Sequence, residues 1–180
     1  MGEWNSRGLR GSAFEELINL TNDRYRELGL ALIQKVPTPI TPIEIDQKTR
    51  HITLAYFDKK STVDYIGAVQ GIPVCFDAKE CAEDTFSLQN VHEHQFEFME
   101  AFERQEGVAF LLIYYTAKEQ FCYLRFEKLK EFYERMQSGG RKSFRFDELE
   151  GDFFLPKGKN VPVPYLELLQ KDLDVREEAE

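Results

Sequence analysis

The chain has few cysteines and no long apolar run, and both deficits narrow the class of protein. Only three of its 180 residues are cysteines, and no two of them form a C-x-x-C pair. So sparse and odd a set excludes a disulfide framework and a zinc ribbon, and it suits a reducing cytoplasm. The longest uncharged apolar run, Val108–Ala117, has ten residues, whereas a membrane span needs about 20. We therefore expect a cytoplasmic protein with no membrane partner.

The sequence also lacks a glycine-rich phosphate loop and an excess of basic residues. Its 32 acidic residues outnumber 23 Lys and Arg residues, and the formal net charge is −9. Such a balance is unfavourable on average for binding nucleic acid. The charge is uneven, however, because residues 166–180 hold six acids and two bases, whereas Gly139–Arg145 holds three bases and no acid. An acidic chain of this kind can still present a locally basic surface.

Apolar residues are plentiful enough for one packed domain, since they make up 42% of the chain. The predicted elements are a helix from Ser12 to Gly29, a strand at Leu30–Val36, paired strands at Thr62–Val69 and Ile72–Glu80, a helix at Ser87–Gln105, strands at Val108–Tyr115 and Gln120–Phe126, a helix at Glu127–Gln137 and a short helix near Tyr165–Leu173. This order predicts an α/β (α+β) fold with a mixed central sheet flanked by helices. We expect one domain over residues 1–165, followed by an acidic tail at residues 166–180.

Residues 37–60 predict a hairpin that projects from the body of the domain. Pro37, Pro39 and Pro42 remove three amide donors, which excludes a helix or a central strand. The pattern predicts short strands at Ile43–Ile45 and His51–Phe57, joined by a polar turn. The prolines and the sparse apolar content point to projection, and an ordinary edge hairpin stays open as the alternative.

Three charged side chains are expected to meet on one face of the sheet. Asp77 and Lys79 lie two residues apart on one predicted strand, so both point to the same face, and Asp64 reaches that face from the preceding strand. Two carboxylates suit Mg²⁺, a hard cation that also accepts a phosphate oxygen. The metal would activate a bound water, and Lys79 would stabilise charge in the transition state. This D…(D/E)-x-K pattern is typical of metal-dependent phosphodiesterases.

The same residues also fit a solvated strand face with an ordinary i,i+2 ion pair, worth about 0.5 kcal/mol. In so highly charged a chain, an Asp upstream of D-x-K often arises by chance. Asp77 and Lys79, however, interrupt the apolar run V-C-F-D-A-K. A charge there is costly unless it is paired or binds a metal, and this context favours the nuclease interpretation.

Several segments, in order along the chain, resemble the RecU family of Holliday junction resolvases. The segments are Arg7-Gly8, Glu15-Glu16, Asn19-Leu20-Thr21-Asn22-Asp23, Lys35-Val36-Pro37-Thr38-Pro39-Ile40, Ala55-Tyr56-Phe57, Ser61-Thr62-Val63-Asp64-Tyr65, Phe76-Asp77-Ala78-Lys79-Glu80, Leu88-Gln89-Asn90-Val91-His92-Glu93-His94-Gln95, Gly140-Arg141-Lys142-Ser143 and Asp147-Glu148-Leu149. They run from about Arg7 to Leu149, which makes the match far more specific than a D-x-K motif alone.

The resemblance implies a homodimeric, Mg²⁺-dependent endonuclease with a restriction-endonuclease-like core, and Mn²⁺ as a possible substitute. The metal-binding positions that it implies are Thr62, Asp64, Asp77 and Gln95. Lys79 matches the catalytic lysine, and residues 37–60 match a stalk that projects toward the centre of a four-way junction. Asp77 stands where the family usually has Glu, so the metal must shift or a water must bridge to it.

A DNA-binding chain also needs a continuous basic surface, because a duplex carries one negative charge per ~1.7 Å of its axis. The candidate DNA contacts are Arg7, Arg10, Lys35, Tyr56, Phe57, Lys59, Lys60, Arg141 and Lys142. The rings of Tyr56 and Phe57 could stack on unpaired bases at a branch point. Glu15 or Glu16 could face the site from the first helix, although a capping box with Ser12 better explains Glu15.

The predicted function is resolution of four-way DNA junctions by Mg²⁺-dependent phosphodiester hydrolysis, carried out by a homodimer whose twofold axis matches the junction. Two alternatives stay open: a non-cleaving protein that binds branched DNA in recombination, and a nuclease of the same fold that acts on other DNA. A recombinase or a branch-migration helicase could be a partner, and residues 166–180 could contact it.

Overall fold

The computed structural model describes residues 13–57, 62–156 and 160–179. The helices are α1 (Ala13–Glu27), α2 (Glu93–Glu103), α3 (Phe126–Gln137) and α4 (Tyr165–Ala179), and the strands are β1 (Leu32–Lys35), β2 (Ile40–Ile45), β3 (Ile52–Phe57), β4 (Tyr65–Val69), β5 (Ile72–Cys81), β6 (Thr85–Ser87), β7 (Val108–Tyr115), β8 (Gln120–Arg125) and β9 (Ser143–Arg145). Within these ranges, no helix is long and apolar enough to cross a membrane.

The central sheet has five strands in the order β1-β4-β5-β7-β8. The β5–β7 pair is parallel, and the other three pairs are antiparallel. A parallel pair needs a crossover connection, which the segment with α2 supplies. Gln70 and Gly71 join β4 to β5 with φ angles of 49° and 94°, as a tight hairpin turn requires. The predicted mixed sheet flanked by helices is therefore confirmed.

Alternation along β5 divides the core into two layers. Phe76 stacks on Tyr65 and Phe110, with ring centroids 4.8 Å apart in both cases, and this face packs against α1 and α4. Cys75 points to the opposite face, which packs against α2 and α3. Because side chains alternate, Asp77 and Lys79 lie on the Cys75 face, toward α2.

Two helices differ from their predicted bounds. The helix predicted over residues 87–105 begins at Glu93, because Leu88–Asn90 forms a single 3₁₀ turn and Val91 is extended. The helix predicted near residues 165–173 continues to Ala179, and Leu168 and Leu169 are buried in the core. Residues 166–179, predicted as a tail, therefore pack against the body of the domain.

The β2 and β3 strands form a separate two-stranded sheet in which nearly every side chain is exposed. Exposure on both faces means that the hairpin stands away from the body, as predicted, up to Phe57; residues 58–60 lie outside the described ranges. Its tip is a turn in which Asp46 Oδ1 accepts the N–H groups of Lys48 (2.8 Å) and Thr49 (3.1 Å).

Candidate active site

Asp64 and Asp77 face each other at the end of the β4–β5 ladder. Tyr65 pairs with Phe76, so the residues that come next on the two segments are these two acids. The Asp64 N–H donates to Asp77 Oδ1 (2.8 Å), and the Ala78 N–H donates to Asp64 Oδ2 (3.0 Å). Each carboxyl group is therefore held by the backbone of the other segment.

Burial and mutual repulsion shape the electrostatics of the pair. Asp77 is fully buried. Burial of Asp64, and then the negative charge of Asp77, raise the pKa of the Asp64 carboxyl to about 6, against the Ala78 N–H and the Lys79 charge, which lower it. A proton or a cation between the two carboxyl groups relieves their repulsion.

Lys79 connects this buried pair to solvent. Its Nζ lies 2.6 Å from Asp77 Oδ2, and its side chain is 19% exposed. The predicted alternation therefore brings the lysine onto the same patch as the two acids. An ammonium group in this position neutralises part of their charge.

Gln95 closes the site from α2 and is 6% exposed. Its Nε2 donates to Asp77 Oδ2 (2.6 Å), and its Oε1 accepts the N–H of His92 (3.0 Å). The structure thus brings Gln95 to the site, where its amide nitrogen, and not its oxygen, contacts Asp77. In the sequence, the family resemblance alone indicated this residue, because a single glutamine on a helix carries no other signal.

The donor set fits a hard divalent cation. In the described part of the chain, no group of three or more His, Cys, Asp and Glu side chains is placed to hold a metal. The set consists instead of two facing carboxyl groups, with the half-buried Thr62 two residues before Asp64. Mg²⁺ suits this arrangement, because it keeps several waters and takes one or two carboxylates together with phosphate oxygens.

Glu15 lies on the other side of Tyr65 and pairs with Lys35 Nζ. The Tyr65 hydroxyl donates to Asn19 Oδ1 (3.0 Å) and lies 3.5 Å from the backbone oxygen of Glu15. Burial, followed by the charges of Glu15, Asp64 and Asp77, raises the pKa of Tyr65. Glu15 therefore links α1 to the sheet and engages Lys35, a predicted DNA contact.

The basic segment Gly139–Arg145 contacts the residues that lead into α2, the helix that carries Gln95. The Lys142 carbonyl accepts the N–H of Leu88 (3.0 Å), in the segment that leads into α2. The Lys142 side chain is exposed, whereas Arg141 donates to Glu148 Oε1 (3.1 Å). Lys142 is therefore the more available of the two predicted phosphate contacts.

The remaining predicted DNA contacts fall into two groups. Tyr56 and Phe57 are 52% and 75% exposed. They pair with Thr41 and Ile40, which places them at the base of the hairpin. The contacts that lie outside the described residues are Arg7, Arg10, Lys59 and Lys60.

A mixed sheet that carries two facing carboxyl groups and an adjacent lysine fits the class of metal-dependent nucleases. Comparison with known proteins then identifies the family. The sequence profile described as "Recombination protein U" matches residues 9–171, and the chain belongs to this RecU family. The resemblance seen in the sequence is thereby confirmed.

Curated relatives match nearly the whole chain. The Holliday junction resolvase RecU of Levilactobacillus brevis is 36% identical over 169 residues, which cover 91% of this chain and 84% of the relative. The Holliday junction resolvase RecU of Lactococcus lactis subsp. cremoris is 38% identical over 174 residues, which cover 94% and 81%. A solved structure of Archaeoglobus fulgidus Hjc, a Holliday junction resolvase, aligns with a TM-score of 0.37 and 10% identity over 62% of this chain and 74% of that chain.

Proposed function

We propose that the protein is a structure-specific endonuclease that resolves four-way DNA junctions by Mg²⁺-dependent phosphodiester hydrolysis. The observation that carries this proposal is the buried Asp64–Asp77 pair with Lys79 2.6 Å from Asp77. The pair occurs in a member of a family whose relatives are described as Holliday junction resolvases.

Asp64, Asp77 and Thr62 are the proposed metal ligands, the two carboxyl groups supply the charge, and Gln95 contacts the Asp77 carboxylate beside them. When bound, Mg²⁺ would polarise the scissile phosphate and lower the pKa of a coordinated water. Mn²⁺ accepts the same oxygen ligands and is the expected substitute. Lys79 stabilises the negative charge that develops on the phosphate, because its Nζ lies 2.6 Å from Asp77 and its side chain is partly exposed.

The DNA surface is proposed to extend from this site along the hairpin and the basic segment. The exposed rings of Tyr56 and Phe57 offer stacking faces for unpaired bases, and Lys142 offers a phosphate contact. We also assign phosphate contacts to Arg7, Arg10, Lys35, Lys59, Lys60 and Arg141.

A homodimer is proposed because the hairpin exposes an apolar surface that a second copy would cover. Its exposed aliphatic side chains are Ile40, Ile43, Ile45, Ile52 and Leu54. Exposed apolar clusters of this kind mark interaction sites. Two symmetric active sites would then produce paired nicks in opposing strands of a near-twofold junction.

The test is incubation with an end-labelled mobile four-way junction in Mg²⁺ or EDTA, with an equal amount of linear duplex as competitor. Symmetric nicks in the junction that depend on Mg²⁺ support the proposal. Binding without nicking, in either Mg²⁺ or Mn²⁺, would show a non-cleaving recombination protein instead. Equal cleavage of the linear duplex would show a nuclease that acts on other DNA.

A further inference from the structure

Both ends of the Gln95 amide are engaged in the buried site. Its Oε1 accepts the backbone N–H of His92 (3.0 Å), and its Nε2 donates to Asp77 Oδ2 (2.6 Å). Gln95 is the third residue of α2 and His92 is the N-cap, so the first bond completes a capping box. The second bond extends this helix cap to a carboxylate of the site.

The orientation of the amide follows from its two neighbours. Rotation of the amide by 180° would place its NH₂ group against the His92 N–H, donor against donor. The same rotation would place its oxygen against Asp77 Oδ2, acceptor against acceptor. Since Gln95 is buried, water cannot replace the lost bonds. The oxygen of Gln95 therefore stays on the helix cap and does not face the carboxylate pair.

We propose that Gln95 is a positioning residue: it orients the Asp77 carboxylate for the metal ion through its amide N–H and does not bind the ion through its oxygen. This inference rests on the proposed function, because it concerns the metal site of that nuclease. It assigns to Gln95 a role different from the ligand role that the sequence resemblance implied.

The acceptor sites of Asp77 show what this bond achieves. Among the described residues, Asp77 Oδ2 receives Gln95 Nε2 and Lys79 Nζ, both at 2.6 Å, whereas Oδ1 receives one donor, the Asp64 N–H at 2.8 Å. A carboxylate has about four acceptor sites. Two donors therefore occupy Oδ2, and the remaining acceptor site is on Oδ1, next to Asp64. Gln95 thus fixes which oxygen of Asp77 is left for a cation.

Packing around the start of α2 holds Gln95 in this role. The buried Tyr133 hydroxyl on α3 donates to the Val91 carbonyl (2.9 Å), one residue before the cap. Met99, one turn further along α2, is fully buried. The donor that faces Asp77 is therefore placed by two helices, which suits an outer partner that keeps a ligand carboxylate in one orientation.

The variant Gln95→Glu separates positioning from ligation. Glutamate keeps the length and the acceptor for the His92 N–H, but it replaces the donor with a charged oxygen that faces Asp77 Oδ2. Positioning predicts that the Mn²⁺ dissociation constant, measured without DNA by electron paramagnetic resonance, rises about 10- to 100-fold. Ligation predicts equal or tighter binding, because a carboxylate is the better ligand for a hard cation; that result would overturn the inference.

The control variant is Gln89→Glu, which adds the same charge at an exposed position six residues earlier, and Mn²⁺ affinity should change less than twofold. A second measurement needs no altered protein: the Gln95 side-chain amide protons, assigned by NMR, should stay protected from water exchange when Mg²⁺ saturates the chain. Loss of that protection would overturn the positioning role. If the unaltered protein binds no Mn²⁺, the metal site itself is refuted, which distinguishes failure of the proposed function from failure of this inference.

Discussion

At the scale of single residues, the cost of burying Asp77 explains the construction of the site. A fully buried carboxylate is unfavourable unless donors or a cation compensate it. Asp77 has three such donors: the Asp64 N–H, Gln95 Nε2 and Lys79 Nζ. Among the described residues, the Asp64 carboxyl accepts one backbone N–H, that of Ala78 at 3.0 Å. Burial and the negative charge of Asp77 then raise the pKa of the Asp64 carboxyl.

The raised pKa of Asp64 predicts how the stability of the metal-free protein depends on pH. The folded-state pKa of Asp64 is about 6, above its ordinary 3.8, so the folded state binds more protons than the unfolded state between those values. By linkage, the contribution of Asp64 to stability is largest at low pH and is lost as the pH rises through about 6.

Asp64→Asn removes this dependence. From pH 4 to pH 7 in EDTA, the free energy of unfolding of the variant should rise relative to the parent by on the order of 2 kcal/mol. Urea unfolding at several pH values measures the difference. A constant difference across that range would show that Asp64 does not titrate in the way described.

The sequence allowed only part of the site to be predicted. Asp77 and Lys79 follow from strand alternation, and Asp64 follows once β4 pairs with β5. The donor orientation of Gln95 does not follow, because it depends on where α2 begins. That start depends on β6, which pairs with β9: Phe86 opposes Phe144, a contact between residues far apart in the sequence that local periodicity cannot reveal.

At the scale of elements, the hairpin has two chemically different ends. Its tip carries Lys48 and Arg50 around the turn capped by Asp46, whereas its base carries the exposed rings of Tyr56 and Phe57. The base lies a few residues from Asp64 along the chain. The Val36 N–H, four residues before Ile40 at this base, donates to the Asp64 carbonyl (2.8 Å). Stacking on a splayed base is therefore expected near the site of hydrolysis, and phosphate contacts are expected further out.

Removal of both rings should weaken junction binding without unfolding the protein. Base–aromatic stacking contributes about 1–3 kcal/mol per base, so Tyr56→Ala with Phe57→Ala should lower junction affinity about 10- to 100-fold. The thermal midpoint should hardly change, because both side chains are exposed. Gel-shift titration tests the affinity, and unchanged binding would remove the rings from the DNA surface.

The last helix, α4, packs in the core, and one substitution on it tests this. Leu169 is 2% exposed, so Leu169→Ala should lower the free energy of unfolding by about 2–5 kcal/mol. The matched control is Leu20→Ala, the same change on α1 at a side chain that is 60% exposed. The control should cost less than about 0.5 kcal/mol. Equal effects in urea unfolding would place α4 outside the cooperative core.

At the scale of the whole molecule, an acidic chain must bind a polyanion. The net charge of −9 repels DNA, so binding depends on local cations that acids do not already neutralise. Arg141 pairs with Glu148, and Arg145 pairs with Asp147 at 2.9 Å, whereas Lys142 is exposed. The basic segment is thus partly neutralised by its own neighbours.

The salt dependence of binding measures this distribution of charge. Lys142→Gln should reduce the slope of log affinity against log salt by about 1, the value for one lost phosphate contact. Arg141→Gln should reduce it less, because Glu148 already engages Arg141. Filter binding at salt concentrations from about 50 to about 200 mM measures both slopes; this range includes physiological ionic strength. A larger effect at Arg141 would contradict the assignment.

The most direct test of the central claim is the single-turnover cleavage rate of Asp77→Asn on a four-way junction in Mg²⁺. Loss of the metal ligand should slow cleavage about 1,000-fold, since a metal ion contributes several kcal/mol and about 1.4 kcal/mol is a factor of ten. Junction binding in EDTA should stay within about twofold of the parent, and the exposed control Asp23→Asn should cleave normally. Cleavage by Asp77→Asn at the parental rate would contradict a hydrolytic site built on the two carboxyl groups.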